Sequence, residues 1–190
     1  MHNDFTVKPK WSRADWRLWW AWVAVCTLGG IIAIPSGFFL AVSFGDYGQR
    51  GFPLGWALVW TIHGLAQWLV LCRRISGSGW WIVATAFGGS LALPILMVLN
   101  STFSNWMSGS MTPLVLMPCI GAVDGAIVGL AQSLVLWATV PNVRGEWILS
   151  STIGGLTVLP PTSAMITGIT LVKLFQPKSP VQHSACGHEH

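Results

Sequence analysis

The sequence predicts an all-α fold, a polytopic bundle of transmembrane helices. Apolar residues make up 53% of the chain and charged residues only 8%, and the mean hydropathy is +0.60. This is more apolar surface than one soluble core of this size can bury. The second observation is a repeat: a tryptophan followed by Gly-Gly and then by proline, at 22–35, 81–94 and 147–160. Together they predict membrane helices built from a duplicated unit.

A second element recurs between those copies. GLAQWLVL covers residues 64–71 and GLAQSLVL covers residues 129–136, so the chain holds about two and a half copies of a two-helix unit. Because a two-helix unit returns the chain to its starting side, the copies run parallel rather than inverted. Parallel repeats occur in some transporters, but a duplicated packing module would give the same pattern.

Five spans are predicted. The first, at about 16–44, follows a helix start in which Ser12 can cap, Asp15 completes a capping box, and Trp11 with Trp16 fits a hydrophobic staple. The second, third and fourth predicted spans cover about 52–72, 80–100 and 112–140. A Gly/Ser turn connects the second span to the third, and a polar loop at 101–111 connects the third to the fourth.

The fifth predicted span, 147–175, is ambiguous. It is long for one crossing of about 20 residues and short for two, and Pro160-Pro161 interrupts it. The other two copies carry the same proline inside a single span, so we expect one kinked span, with a re-entrant hairpin as the alternative. Residues 1–175 then form one transmembrane domain, and residues 176–190 form a flexible tail.

Lysines and arginines predict the orientation. One side receives seven of them and the other three, so the first side is expected in the cytoplasm. The protein is then integral to the cell (inner) membrane, with its N-terminus in the cytoplasm and its C-terminus outside. The seven are Lys8, Lys10, Arg13, Arg17, Arg73, Arg74 and Arg144, and the three are Arg50, Lys173 and Lys178. A six-segment arrangement would fit the charges better, but segments of about 13 residues cannot span.

Small residues at a spacing of four predict close helix packing. The fourth span carries GxxxGxxxG, and the odd-numbered spans carry the paired glycines of the repeat. Either packing within the chain or a self-association face is consistent with them. The glycines are Gly29, Gly30, Gly88, Gly89, Gly121, Gly125, Gly129, Gly154 and Gly155.

Polar groups inside spans are the candidate functional residues. His63 and Asp124 are the only histidine and the only acidic residue within a span, and the repeat places them about 6 Å apart in depth. Gln67 and Gln132 occupy equivalent repeat positions. These groups could hold helices together by hydrogen bonds, or His63 and Asp124 could couple proton or ion movement. His63 could also bind a pigment or haem as an axial ligand.

The tail contains possible metal ligands: His183, Cys186, His188 and His190 could bind Zn, Ni or Cu ions, although no zinc-finger spacing is present. The net charge of +4 would suggest nucleic acid in a soluble domain, but the basic residues lie at the ends of apolar runs, so no nucleic-acid partner is expected. No catalytic triad, P-loop, Rossmann turn or HExxH pair is present, so the sequence does not predict an enzyme.

The two GLAQ(W/S)LVL blocks, each followed by a basic turn and a Trp-led Gly-Gly helix, resemble small bacterial integral membrane proteins built from the same repeat. The resemblance covers roughly residues 20–160. It implies a membrane location and a helical repeat, with no activity to transfer to named residues.

Two functions follow from the sequence. The first expectation is a non-enzymatic accessory or structural subunit of a membrane assembly, which binds other subunits or itself and could hold a cofactor. The alternative is a small oligomeric transporter or channel that uses His63 and Asp124 for proton or ion coupling.

Overall fold

The computed structural model describes residues 11–44, 50–106, 112–140, 145–157 and 159–176, with the backbone alone at 103–106 and 112–113. These residues form helices and no strand, as predicted. The first four helices are long and apolar enough to cross a membrane. The helices are α1 (Arg13–Ser43), α2 (Phe52–Leu71), α3 (Gly79–Trp106), α4 (Thr112–Thr139), α5 (Glu146–Leu156) and α6 (Pro160–Phe175).

The start of α1 is the predicted capping box. The Ser12 amide donates to Asp15 Oδ2 at 2.9 Å, and the Asp15 amide donates to Ser12 Oγ at 3.2 Å. The rings of Trp11 and Trp16 pack at a centroid distance of 4.8 Å. The cap and the staple are therefore confirmed, and they fix the first residue of the helix.

The third helix is longer than predicted. It continues through the segment expected to be a loop and reaches Trp106. Ser101 Oγ and Thr102 Oγ1 both donate to the carbonyl oxygen of Val98, at 2.9 and 2.8 Å. Because these hydroxyls bond back to the preceding turn, small polar residues extend the helix here instead of ending it.

The expected fifth span is wrong: the 147–175 segment forms two short helices, of 11 and 16 residues. The residue before the two prolines, Leu159, is extended (φ −98°, ψ 123°). Proline disfavours the helical conformation of the residue before it. Proline is tolerated in the first turn of a helix, because the backbone amides there have no partner within the helix. The double proline therefore starts a new helix, whereas the single Pro35 and Pro94 lie inside continuous helices.

The two short helices form a hairpin. Trp147 near the start of α5 and Thr167 in α6 both contact Trp22 of α1, so α6 runs back beside α5. Near the tip, a Cβ on Gly154 would lie 2.8 Å from Ser163 Oγ. The segment thus forms a helical hairpin, as in the alternative that the sequence left open, and neither of its helices is long enough to span a membrane.

The hairpin also changes the predicted topology. Gln176 Nε2, just after α6, donates to Asp15 Oδ2 at the start of α1, at 3.3 Å. The described chain therefore starts and ends at the same end of the bundle, so the prediction of termini on opposite sides does not hold for residues 11–176. We call this end the basic end; among described residues it carries Arg13, Arg17, Arg73, Arg74 and Lys173, and the opposite end carries Arg50.

The six helices form a closed ring. Each packs against the helix before it and the helix after it, and α6 packs against α1. No contact joins α1 to α4 in the described residues. Because the hairpin turns back partway, only α1 to α4 surround the interior beyond its tip.

The paired glycines of the repeat explain why the ring closes. Neighbouring positions on a helix point about 100° apart, so two adjacent glycines let one helix approach two neighbours. In each copy the first glycine faces the next helix of the ring and the second faces the previous one. The first-glycine contacts are Gly29 with Ala66, Gly88 with Ala131 and Gly154 with Ser163, and the second-glycine contacts are Gly30 with Pro160, Gly89 with Trp60 and Gly155 with Gly121.

The glycine stripe of α4 packs within the chain. A side chain on Gly121 would meet the carbonyl of Gly155, and one on Gly125 would meet the carbonyl of Ser151. A Cβ on Gly129 would lie 2.7 Å from the Ser151 Cβ. The stripe is therefore the surface against which α5 packs, and this intramolecular packing was one of the two interpretations of the pattern.

Candidate functional site

The three repeat tryptophans meet at the centre of the ring. Trp22, Trp81 and Trp147 are fully buried. Their ring centroids lie 5.5 to 6.4 Å apart, with interplanar angles of 71° to 79°. This edge-to-face geometry is favourable for aromatic pairs. We call the three residues the tryptophan triad.

Each indole of the triad donates a hydrogen bond to the preceding helix of the ring. Trp81 Nε1 donates to Gln67 Oε1 at 2.8 Å, and Trp147 Nε1 donates to Gln132 Oε1 at 3.0 Å. The third bond crosses from α1 to α6. There, Trp22 Nε1 donates to Thr167 Oγ1 at 3.0 Å. A buried indole N–H is thus satisfied in all three positions.

The two glutamines also bind each other. Gln132 Nε2 donates to Gln67 Oε1 and to Thr85 Oγ1, both at 2.9 Å. Both glutamine side chains are buried. These are the interhelical hydrogen bonds expected of the two glutamines, so their role in the structure is to connect α2, α3, α4 and α5.

A cavity of about 380 Å³ lies inside the ring. Gln67, Gln132, Thr167 and Trp147 line it, so the hydrogen-bonded layer of the triad closes it towards the basic end. Pro160, at the hairpin tip, lies in the wall between α1 and α4. This volume is within the range of about 300 to 1,000 Å³ that small-molecule sites occupy.

His63 and Asp124 both line this cavity. Sequence reasoning placed them near the middle of their helices, and the ring brings both to one chamber. No hydrogen bond or ion pair joins them within the part of the chain that the structure describes. The Oδ1 atom of Asp124 is buried and has no hydrogen-bond partner there. The ring of His63 lies edge-on to Trp60, with centroids 5.8 Å apart.

Two further tryptophans form one wall of the cavity. The rings of Trp56 and Trp60 lie 6.3 Å apart at 70°. Trp56 Nε1 donates to the carbonyl oxygen of Gly89 at 2.9 Å, and the ring of Trp60 fills the space beside the same glycine. The Trp60 Nε1 atom is buried without a hydrogen-bond partner among described residues. Two residues of the cavity lining, Asp124 and Trp60, therefore each carry a buried polar atom without a hydrogen-bond partner among the described residues.

Sequence reasoning missed α6 as a member of the repeat. Residues 164–171 read AMITGITL and occupy the place of the two GLAQ blocks, with Thr167 where those blocks have glutamine. The equivalent leucines Leu71, Leu136 and Leu171 are all fully buried. The signal in the sequence was Leu171 with the small residue Ala164 seven positions before it. This pair of residue types is too common for the repeat to be recognised from it alone.

The predicted metal and pigment sites have different outcomes. The tail residues His183, Cys186, His188 and His190 lie outside the described residues. Within the described residues no group of three His, Cys, Asp or Glu side chains could hold a metal ion. His63 lines the cavity, so pigment or haem binding there stays a prediction.

No protein-family model, curated protein or solved structure matches the chain.

Proposed function

We propose that this membrane protein is a small transporter that binds its cargo in the central cavity. The observation that carries the proposal is that both intramembrane titratable side chains, His63 and Asp124, line one cavity of ligand size. Ionisable residues within a membrane are costly and typically mark substrate or ion pathways. Coupling of cargo movement to a proton or an ion at these two residues is part of the proposal.

The hairpin supports this proposal. Discontinuous helices near the middle of the bilayer are a common element of transporter binding sites. Here α5 ends and α6 begins beside the cavity, with Gly155 and Pro160 both in its wall. Non-helical backbone at this depth is tolerated when it is buried in protein or lines a cavity.

The orientation belongs to the same proposal. Among described residues the basic end has five lysines and arginines and the opposite end has one. The protein then lies in the cell (inner) membrane, and under the positive-inside rule its basic end is on the cytoplasmic side. The hydrogen-bonded layer of the triad then separates the cavity from the cytoplasm, and the wider part of the interior is directed outward.

A flux measurement in liposomes tests the transporter function. The protein is reconstituted with an entrapped pH-sensitive dye, and a potassium diffusion potential is applied in either direction. We expect a proton flux above that of protein-free liposomes, which Asp124→Asn removes while Glu146→Gln retains it. Glu146 is a suitable control because it is exposed at the start of α5. A flux equal to that of empty liposomes in both directions would contradict the proposal.

An accessory or structural subunit is the second candidate. The observation in its favour is an aromatic cluster on the outside of the seam between α1 and α6. Trp11, Trp16 and Trp19 pack together with centroids 4.8 to 6.5 Å apart, and Trp16 is 46% exposed. Such rings also favour the membrane interface without any protein partner.

The native mass of the gently extracted particle separates the two candidates. A whole multiple of the 20.6 kDa chain supports the transporter, as a monomer or a homo-oligomer. Additional mass from a foreign protein supports the accessory subunit. A visible absorption band that His63→Ala abolishes would support a pigment-binding form of that subunit.

A further inference from the structure

We propose that the cargo of the central cavity is a largely apolar organic cation, an amine whose N–H group binds Asp124 and whose body lies against Trp56 and Trp60. This inference rests on the proposed function and names its ligand class. Three observations carry it: the charges around the cavity, the two unused polar atoms, and the aromatic wall.

The charged groups around the cavity favour a cation. In the described residues Asp124 is the only acidic side chain in the lining, and apart from the imidazole of His63 no basic side chain lines the cavity. The last turn of α5 packs against the α4 turn that carries Asp124, through the contact of Gly155 with Gly121. The partial negative charge at the C-terminus of α5 is opposed by the partial positive charge at the N-terminus of α6 in the same wall, so the Asp124 carboxylate is the feature that attracts positive charge.

The unused polar atoms specify how the cation would bind. In the described residues Asp124 Oδ1 is a buried acceptor without a partner, and the Asp124 side chain lines the cavity. A buried polar group without a hydrogen bond is costly, so a ligand N–H bound to this carboxylate would compensate for that cost. In the described residues Trp60 Nε1 is a buried donor without a partner, and the Trp60 side chain lines the same cavity.

The aromatic wall suits the body of such a ligand. Trp56 and Trp60 meet at 70° with centroids 6.3 Å apart, so their rings form a corner and not a stack. Indole faces attract cations and also provide apolar contact area. Most of the other lining positions are apolar or small, among them Ala33, Val59 and Leu96. One charged group on an apolar body therefore matches the chemistry of the cavity.

The route into the cavity fits an apolar cargo. Beyond the hairpin tip, α1 and α4 do not touch in the described residues. The lining there comes from Ile34 of α1, Met117 and Ile120 of α4, and Leu159 at the tip. Leu159 is 60% exposed. This gap faces the lipid, so an amine that partitions into the bilayer can reach the cavity from the side.

The test uses three probes of one shape and different charge. 4-Phenylbutylamine is the cation, 4-phenylbutanol the neutral analogue and 4-phenylbutyrate the anion. Saturable binding of each to the full-length protein in lipid nanodiscs is measured by equilibrium dialysis, and empty nanodiscs are subtracted. We expect the amine to bind at least about tenfold more tightly than the alcohol, the factor that one charge-assisted hydrogen bond can supply. The acid should bind most weakly.

A variant then assigns the preference to Asp124. Asp124→Asn should bring the amine to the affinity of the alcohol, whereas Glu146→Gln should keep the wild-type ranking. If Asp124→Asn does not fold, the ranking of the three probes on the wild-type protein still decides. An unchanged amine preference in a folded Asp124→Asn protein would overturn the inference.

The outcomes separate the ligand class from the function. Equal binding of amine and alcohol, or tighter binding of the acid, would overturn the cation while leaving a binding cavity and the transporter. Absence of saturable binding for all three probes would overturn both the cation and the use of the cavity as a binding site.

Discussion

The indole of Trp22 donates to Thr167 Oγ1 at 3.0 Å, across 145 residues of sequence. This hydrogen bond joins α1 to α6 and so closes the ring. It occupies the position that Trp81–Gln67 and Trp147–Gln132 occupy elsewhere in the ring. Three similar bonds around one triad give the interior a threefold pattern that follows the three copies of the repeat in the sequence.

Loss of the Thr167 hydroxyl should weaken this closure. Thr167→Val keeps the shape of the side chain but leaves the buried Trp22 indole N–H without an acceptor. We expect the free energy of unfolding to fall by about 1 to 3 kcal/mol. Thr167→Ser keeps the hydroxyl and should lose less. Detergent-induced unfolding followed by tryptophan fluorescence measures both, and equal stability of the valine variant and wild type would contradict the expectation.

A leucine at Gly125 should prevent assembly of the ring. The backbone of α5 lies directly against this glycine, so a side chain there would force α5 away from α4. We expect Gly125→Leu to reduce the free energy of unfolding by about 3 kcal/mol or more. Gly145→Ala is the control, because nothing lies within 4 Å of a Cβ at that position. A folded monomer with normal stability for Gly125→Leu would show that this packing is not needed.

The glutamine network gives a third prediction. Gln132→Met removes the acceptor of the Trp147 indole and both hydrogen bonds that Gln132 donates, so the buried Trp147 N–H remains unpaired, while Gln67 and Thr85 keep their bonds to Trp81. We expect a loss of about 1 to 3 kcal/mol in the same unfolding experiment. Leu130→Met, on a side chain that is 49% exposed, should have little effect. If the two variants lose the same stability, the network does not hold the helices together.

The topology can be tested by cysteine labelling in whole cells. Cys72, Cys119 and Cys186 are first replaced by serine, and Cys26 stays because it is buried. A membrane-impermeant maleimide should then label Arg50→Cys from outside. It should label Ser12→Cys and Gln176→Cys only after the membrane is permeabilised. Labelling of Gln176→Cys in intact cells, with Ser12→Cys protected, would restore the five-span arrangement.

Much of this fold could be predicted because it depends on local patterns. Apolar runs of spanning length determine the first four helices, and Ser12 with Asp15 determines where α1 starts. The error at 101–106 has a simple origin. The hydroxyls of Ser101 and Thr102 can either leave a helix or bond back within it, and sequence alone does not decide between them.

The hairpin could not be predicted from the repeat. A proline at the same position in each copy suggested the same shape, but the second proline, Pro161, is specific to the third copy. Lys173 was the contrary signal, since it fits the positive-inside rule only if the chain returns. The length required of a spanning helix does not apply to α5 and α6, because a hairpin that turns back partway does not need to span.

The candidate site was predicted in part. His63 and Asp124 were recognised because an ionisable group within an apolar run is rare. Their common cavity depends on the order of helices around the ring, which the sequence does not contain. Trp56 and Trp60 were missed because tryptophan is frequent in this chain, so only their place in the cavity wall and the unpaired indole N–H of Trp60 distinguish them.

The seam between α6 and α1 differs from the other contacts of the ring in one respect. All other neighbouring helices are consecutive in the chain, whereas these two are the most distant in sequence. Separation at this seam stretches no loop, so it is expected to have the lowest local opening free energy of the ring. Amide hydrogen exchange should then be fastest in α6 among the buried helices. The same fluctuation would remove Thr167 and Pro160 from the wall of the cavity and expose it briefly towards the basic end.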